Sequence, residues 1–473
     1  MADTVEPRLS RGLRDLLPEQ MLARQWMIDT IRGVYELYGF VPLSTPAVEY
    51  LDVLRGSAAG QEASSSIFTV SNPEEEALGL RFDLTVPLAR VISQYKQDIP
   101  RPFRRYQVSP VWRADKPGPG RYREFTQFDL DSVGVESEIA DTEILAGMCD
   151  TLTALNVGPY KVRFNSRAIL NLLLAFAGIP AERSVDVFRV LDKLDKVGMQ
   201  KVRLELTVGY VDSSGDPIRG LGLENSQVDK IEQFLAIQPD DRRQVMAQLR
   251  ETFGGVEGSE PELAKVERIS EHLYALGYAD DKVSLDVSIA RGLAYYTGPV
   301  FEAVLLDAPQ FGSVFGGGRY DDLVMRFLGE RIPAVGASIG VDRLLAALIH
   351  LGRVGQQKST SKVLVARMDP ALEGECLAMV YELRRAGIPA ELYLGTAKGP
   401  GKQLKYADQW GIPIAVLYGS TEKERGIVTI KDMEVGRRKA ETLARREEWL
   451  EERPGQREVP KSELIATVRE MLG

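Results

Sequence analysis

The chain has 473 residues, 44% of them hydrophobic and 27% charged, and 59 basic against 68 acidic side chains leave a formal net charge of −9. That length exceeds one ordinary core and calls for at least two domains; the acidic balance excludes a general nucleic-acid coat protein but leaves room for a local basic patch. With Cys149, Cys376, His272 and His350 as the only cysteines and histidines, disulfide frameworks, cysteine zinc ribbons, histidine metal clusters and Ser-His-Asp chemistry lack raw material.

The opening MADTVEPRLSRGLRD has no apolar run behind a basic region, and the longest apolar stretch, Leu172–Ile179, is too short to span a bilayer. A cytoplasmic protein without membrane association is expected. Its chemistry must rest on arginines, carboxylates, tyrosines and backbone groups.

Pro18 opens a helix whose apolar positions Ala23, Met27, Ile31, Val34 and Tyr38 recur at helical steps until Gly39 stops it. An extended segment, Phe40–Pro46, follows. Strand-like segments around Leu78–Asp83, Arg105–Arg113 and Phe125–Val133 alternate rather than run continuously apolar, which predicts an antiparallel sheet with one solvated or ligand-facing side.

From Ile179 to Leu276 the sequence turns charged and helix-favouring, interrupted at Gly209–Gly222, and reads as an inserted helical module (179–276) between two parts of one core (1–178 and 277–351). Strand patterns return at Val283–Val287 and Val300–Leu305, then a glycine cluster, then a helix over Val341–Leu351. Gly352–Ser361 is polar and turn-rich, as a linker should be. Beyond it, residues 362–473 alternate strand and helix, which predicts an α/β domain with a largely parallel sheet. That stretch carries 19 basic and 18 acidic residues, net +1, which leaves −10 for the rest of the chain.

Three constellations stand out. Arg101, Arg104, Arg105, Arg113, Lys116, Arg121 and Arg123 crowd one hairpin, with Lys116-Pro-Gly-Pro-Gly-Arg121 as its tip; cations so placed suit a polyanion, and a solvated charged hairpin is the plainer alternative. With period two, Arg121, Arg123, Phe125, Gln127, Asp129 and Asp131 share a face, while Tyr122, Thr126, Phe128 and Leu130 lie on the core side. A site holding a nucleotide at one end and a polar small molecule at the other fits that face. Asp286–Gly298 sets Arg291 beside Tyr295 and Tyr296, either an anion site or a strand end with buried tyrosines. Phe315–Asp321 and Gly336–Arg343 combine glycines, which permit close backbone approach, with Arg343 in a first helical turn, where a bound anion would offset its charge. Gly401-Lys402 fails as a phosphate loop, and Gly316–Gly318 fails as a dinucleotide fingerprint.

Together these motifs resemble the histidyl-tRNA synthetases, class II aminoacyl-tRNA synthetases, from Arg11-Gly-Leu-Arg-Asp15 to the end domain. Tyr38-Gly-Phe…Thr45-Pro46 is similar to the first class signature, Phe103-Arg…Arg113 with Gly120–Phe125 to the second, and Gly336–Arg343 to the third. Arg291–Tyr296 and Gly317–Asp321 resemble elements particular to the histidine enzymes. The resemblance implies an α+β fold: an antiparallel catalytic sheet flanked by helices, a helical insertion, and a C-terminal α/β anticodon-binding domain. It implies a homodimer that activates L-histidine with ATP and Mg2+ and transfers it to the terminal adenosine of tRNA(His).

By the same resemblance Arg113, Asp115, Arg121, Phe125 and Arg343 serve ATP, with Phe125 stacking on adenine. Arg113, Arg291 and Arg343 are the catalytic cations. Asp83 and Thr85 take the substrate ammonium, and Gln127, Asp131, Arg291, Tyr295 and Tyr296 surround its carboxylate and imidazole. Metal ligands are not named by it. Ala294 departs from the family's usual Asp or Glu, and the hairpin is closer to the eukaryotic type. The alternatives are a synthetase-like regulatory subunit of ATP phosphoribosyltransferase, or a catalytically dead synthetase-like RNA-binding or signalling protein.

Overall fold

The computed structural model describes residues 5–55, 66–117, 121–212, 215–290, 292, 296–355, 357–397, 399–435 and 455–473. The chain divides into two compact units, one of residues 1–15 and 26–354 and the other of 16–25 and 355–473.

Helix α1 spans Pro18–Leu37 and ends where Gly39 takes a φ of +77°. The first unit is organised by eight strands: β1 (Val41–Pro42), β2 (Phe103–Trp112), β3 (Glu124–Val133), β4 (Tyr160–Ser166), β5 (Val283–Leu285), β6 (Pro299–Leu305), β7 (Ser313–Arg319) and β8 (Ala334–Gly340). They pair in the order β1-β2-β3-β8-β7-β6-β4-β5. The interior pairings are antiparallel, as the alternation predicts, whereas both edge pairings, β1 with β2 and β4 with β5, are parallel. The far face of β3 is core: Phe128 and Leu130 are buried, and Phe128 packs edge-on against Tyr35 of α1, ring centroids 5.0 Å apart.

Helix α2 (Thr85–Gln94) and helix α3 (Glu138–Ala154) flank the sheet. Ser137 caps α3 by accepting from the Ile139 amide. Among the described residues, those within 184–275 form six helices and one short strand pair, Gly209–Val211 with Pro217–Arg219. Helix α4 (Val341–His350) follows β8 directly. No helix among the described residues is long and apolar enough to cross a membrane.

The second unit has a five-stranded sheet of β9 (Val363–Val365), β10 (Ala390–Leu392), β11 (Ile414–Leu417), β12 (Ile427–Asp432) and β13 (Gln456–Pro460), ordered β10-β9-β11-β12-β13. Cys376, Met379 and Leu383 of one helix and Leu464 and Val468 of another share a core on this sheet, and a separate cluster gathers Leu364, Ala407 and Ala415. Only β10-β9 and β9-β11 are parallel; β11-β12 and β12-β13 are antiparallel. The largely parallel expectation is therefore corrected to a mixed sheet. Gln456-Arg-Glu-Val-Pro460 escaped notice because an edge strand this polar shows little apolar alternation.

Candidate active site

Three neighbouring strands put the polar face together by register. Arg105, Asp131 and Gly336 form one cross-strand row; Gln107, Asp129 and Ser338 form the next; Ser109, Gln127 and Gly340 form the third. Directly opposed residues on one face of a sheet lie within side-chain contact, so sequence positions far apart become one surface.

The outer end opens into a cavity of about 310 Å3, lined among others by Arg113, Asp115, Lys116, Arg121, Phe125 and Arg343. Arg113 is fixed by the Phe82 carbonyl, which accepts from its Nε at 3.1 Å, and its guanidinium carbon stands 5.2 Å from the Phe125 ring centroid. Arg343, in the first turn of α4, donates to the Ser313 carbonyl at 2.7 Å. All five residues expected to serve the nucleotide line this one cavity.

Tyr122 departs from expectation. It lines the cavity instead of the core, beneath the Arg14 guanidinium at 3.8 Å from its ring centroid. Strand β3 begins only at Glu124, so the period-two alternation does not extend back to residues 121–123. Arg123 is likewise tied into the hairpin: its amide donates to the Gly12 carbonyl and its carbonyl accepts from the Arg113 amide, both at 2.8 Å. Gly12, at φ +85°, leaves the room that Arg123 fills, since a Cβ there would lie 2.9 Å from Arg123 Cγ.

Asp342 links three elements, accepting from Arg14 Nη2 at 2.6 Å and from the Thr126 amide at 2.7 Å. Sequence reasoning assigned no role to Arg14 or Asp342; the signal was that Arg11–Asp15 and Gly336–Arg343 belonged to the resemblance.

Further in, Tyr296, Gly316 and Ser338 line both the large cavity and a second of about 20 Å3, which Thr85, Asp129, Asp131 and Tyr320 also border. Gln127 donates to Ser338 Oγ at 2.8 Å, and the Tyr320 hydroxyl donates to Asp131 Oδ1. Arg105 is completely buried beneath them. Its Nη2 donates to the Leu84 carbonyl at 3.1 Å and lies 2.8 Å from Asp131 Oδ2 and 3.8 Å from Asp129 Oδ2. Burial raises the carboxyl pKa of Asp129 to about 7, with Arg105 opposing and Asp131 adding to the rise. Burial likewise raises that of Asp131, against the pull of Arg105.

Asp83 is raised by burial too, and its Oδ1 accepts from the amides of Thr85 and Val86, capping the first turn of α2. It is not among the residues bordering either cavity.

The glycine cluster both lines the site and makes room within it. Gly316, Gly317 and Gly318 lie within β7 and Gly336 within β8. A Cβ on Gly336 would sit 1.9 Å from Asp131 Oδ1, and one on Gly318 would sit 2.7 Å from the Tyr296 ring. Gly336 and Gly318 make room for two site side chains.

Arg319 and Asp321, in the same motif, are structural. Arg319 makes a bidentate pair with buried Asp141, at 3.1 and 2.6 Å, and Asp321 accepts from Arg331 at 2.6 Å. Arg291, Ala294 and Tyr295, and the hairpin tip 118–120, lie outside the described residues.

Comparison with known proteins agrees with this geometry. The histidyl-tRNA synthetase family model matches residues 12–344, and the anticodon binding domain model matches 362–471. The chain is 46% identical to the histidine–tRNA ligase of Ruegeria sp. (strain TM1040), over 98% of its own length and 95% of that protein's. A crystal structure of histidyl-tRNA synthetase from Nostoc sp. PCC 7120 superposes with a TM-score of 0.82 at 30% identity, covering 99% of this chain and 100% of that one. A Bacillus halodurans structure described as an ATP phosphoribosyltransferase regulatory subunit/histidyl-tRNA synthetase shares the fold, with a TM-score of 0.69 at 22% identity over 85% of this chain and 97% of its own. Matched along both of its parts and to full-length relatives, the chain belongs to the histidyl-tRNA synthetase family.

Proposed function

We propose that this chain is a histidine–tRNA ligase: it condenses L-histidine with ATP to histidyl-adenylate and pyrophosphate, then passes the histidyl group to the 3′-terminal adenosine of tRNA(His). The observation that carries this reading is the adjacency of two cavities that share a wall. A cavity ringed by Arg113, Lys116, Arg121, Phe125 and Arg343 shares Tyr296, Gly316 and Ser338 as a common wall with a small polar chamber at Thr85, Asp131 and Tyr320.

In this reading Phe125 stacks on adenine, while Arg113 and Arg343 hold phosphates, assisted by Arg121. Arg113 and Arg291 stabilise the charge that grows on the α-phosphate as the histidine carboxylate attacks, the task suited to preorganised cations. Thr85 and Asp83 serve the ammonium end, Gln127 and Tyr295 the carboxylate end, and Asp131 and Tyr296 the imidazole. A chamber built to satisfy both imidazole nitrogens leaves its polar groups unpaired with other amino acids, which accounts for selectivity without editing.

Magnesium would come with the nucleotide. Among the described residues no group of three or more His, Cys, Asp or Glu side chains converges. The phosphates and water would supply most of its shell, with Asp115 and Asp342 the carboxylates on the cavity wall.

The proposed division is a catalytic core of residues 1–178 and 277–351, an insertion of 179–276 toward the acceptor arm, a linker of 352–361, and an anticodon-binding domain of 362–473. Exposed Trp26, Leu37, Val41, Val48 and Tyr50 support a homodimer interface along the first signature. The cytoplasm is the compartment where such an enzyme works.

Amino-acid-dependent ATP–pyrophosphate exchange, without tRNA, tests the proposal. Exchange with histidine alone is expected; folded protein that binds histidine without exchange would return the choice to the regulatory alternative.

A further inference from the structure

Strand β5 leaves the sheet shortly before the chain reaches Arg291. Its last ladder pair with β4 is Leu285 with Phe164, and one more backbone hydrogen bond follows, from the Asp286 amide to the Phe164 carbonyl at 2.9 Å. Beyond it a side chain of β4 takes over. Asn165, fully buried, donates from its one Nδ2 to two carbonyls, that of Val287 at 3.1 Å and that of Ile289 at 2.9 Å. Its Oδ1 accepts from the Ser166 amide at 2.8 Å.

The place is closed to water: Val287, Ile289 and Ala290 are all buried. Carbonyls in such a place need a protein donor, and a primary amide supplies two from a single atom. An apolar side chain at 165 would fill the same volume and satisfy neither. Asp286 secures the outer side of the turn, its Oδ1 accepting from the Ser288 amide at 3.0 Å and its Oδ2 from Arg163 Nη1 at 3.1 Å. Downstream the chain is fastened again. The Tyr296 amide donates to the Gly292 carbonyl at 2.9 Å, and the Thr297 amide donates to the Arg319 carbonyl of β7 at 2.7 Å. Arg291 therefore follows Ile289, whose carbonyl Asn165 holds, by two residues and precedes Gly292 by one.

We propose that Asn165 is a positioning residue for adenylate formation: by pinning the Val287 and Ile289 carbonyls it sets the point from which Arg291 is presented to the α-phosphate. This rests on the ligase reading above and on the role of Arg291 within it. Asn165 is not among the residues bordering either cavity of the site, so its influence passes through the backbone. A cation that stabilises developing charge is effective only when its place is fixed beforehand. A misplacement of about 1 Å costs on the order of 100-fold in rate. Substrate binding, which draws on the cavity walls, does not depend on this pin.

The test is histidine-dependent ATP–pyrophosphate exchange by the full-length Asn165→Ala protein, its fold checked by circular dichroism, alone and combined with Arg291→Ala. Alone, the substitution should lower kcat on the order of 100-fold, with the histidine and ATP KM within about threefold. In the Arg291→Ala background it should lower kcat less than about threefold, because the group it positions is gone. Asn165→Asp keeps the shape, leaves at most one donor and should lose at least about tenfold in kcat; it gives the same reading should the alanine variant not fold. Equal losses in the two backgrounds, a change confined to KM, or either variant within about threefold of the unaltered kcat overturns the proposal. An Arg291→Ala protein with unaltered kcat overturns the role of Arg291 and the proposal with it. Absence of histidine-dependent exchange in the unaltered protein overturns the ligase reading instead.

Discussion

The two ends of strand β3 use charge in opposite ways. At the outer end Asp115, Lys116 and Arg121 are exposed around a cavity of about 310 Å3. At the inner end Arg105, Asp129 and Asp131 are each at most 3% exposed around a chamber of about 20 Å3. Exposed charges are screened and individually worth little, so they can be numerous and loosely placed. Buried charges are costly and coupled, so each depends on its neighbours for protonation state and position. A ligand bearing several negative charges suits the first arrangement; a small, directional, cationic ligand suits the second.

The largest effect should come from the counter-charge of the inner end. Arg105→Ala leaves two buried carboxylates without their guanidinium, and urea unfolding should register a loss on the order of 3–5 kcal/mol. A loss below about 1 kcal/mol would show that the carboxylates manage by protonation alone, and the contrast between the two ends would collapse.

Next comes Gly336→Ala, which drives a methyl group into Asp131 and should cost roughly 1–3 kcal/mol. The expected readout is a histidine KM raised about tenfold or more, with the ATP KM nearly constant. A shift confined to ATP would mean that the two ends are not separable.

A pH series sharpens the comparison further. The Asp129 carboxyl is held at about 7 in the fold, above its unfolded value near 4. The folded chain therefore binds that proton more tightly, and the resulting stability is full below about pH 4 and lost as pH rises through 7. Between pH 6 and 8 the unaltered protein should lose about 1–2 kcal/mol relative to Asp129→Asn, measured by denaturant unfolding at each pH. Parallel curves for the two proteins would contradict it.

The smallest effect belongs to the outer end. Arg121→Ala should raise the ATP KM roughly two- to fivefold, less so at high salt, with no change in unfolding.

Much of the outer end was legible in the sequence because it is local: a run of cations, a glycine-rich tip and an alternating strand sit within some thirty residues. The inner end was half legible. Alternation placed Asp129 and Asp131 on one face, but the partner that fixes their chemistry, Arg105, is supplied by strand register across a different strand. Arg105 read as one more cation of a charged hairpin, although it is fully buried. The glycines misled for the same reason: their purpose lies in side chains of neighbouring elements, Asp131 for Gly336 and Tyr296 for Gly318. The Arg319–Asp141 pair, 178 positions apart, left no local trace at all.

The pairing of Gly336 with Asp131 also governs how the amino-acid chamber could be redesigned. The two residues face each other in register, and the side chain of one occupies the space the other lacks. Enlarging position 336 alone collides with Asp131, while shortening position 131 alone leaves a hole. A library aimed at a substrate of different shape should therefore vary these two positions as a linked pair: a shorter residue at 131 makes room for a side chain at 336, and the wall that contacts the substrate moves from one strand to its neighbour while the backbone stays in place.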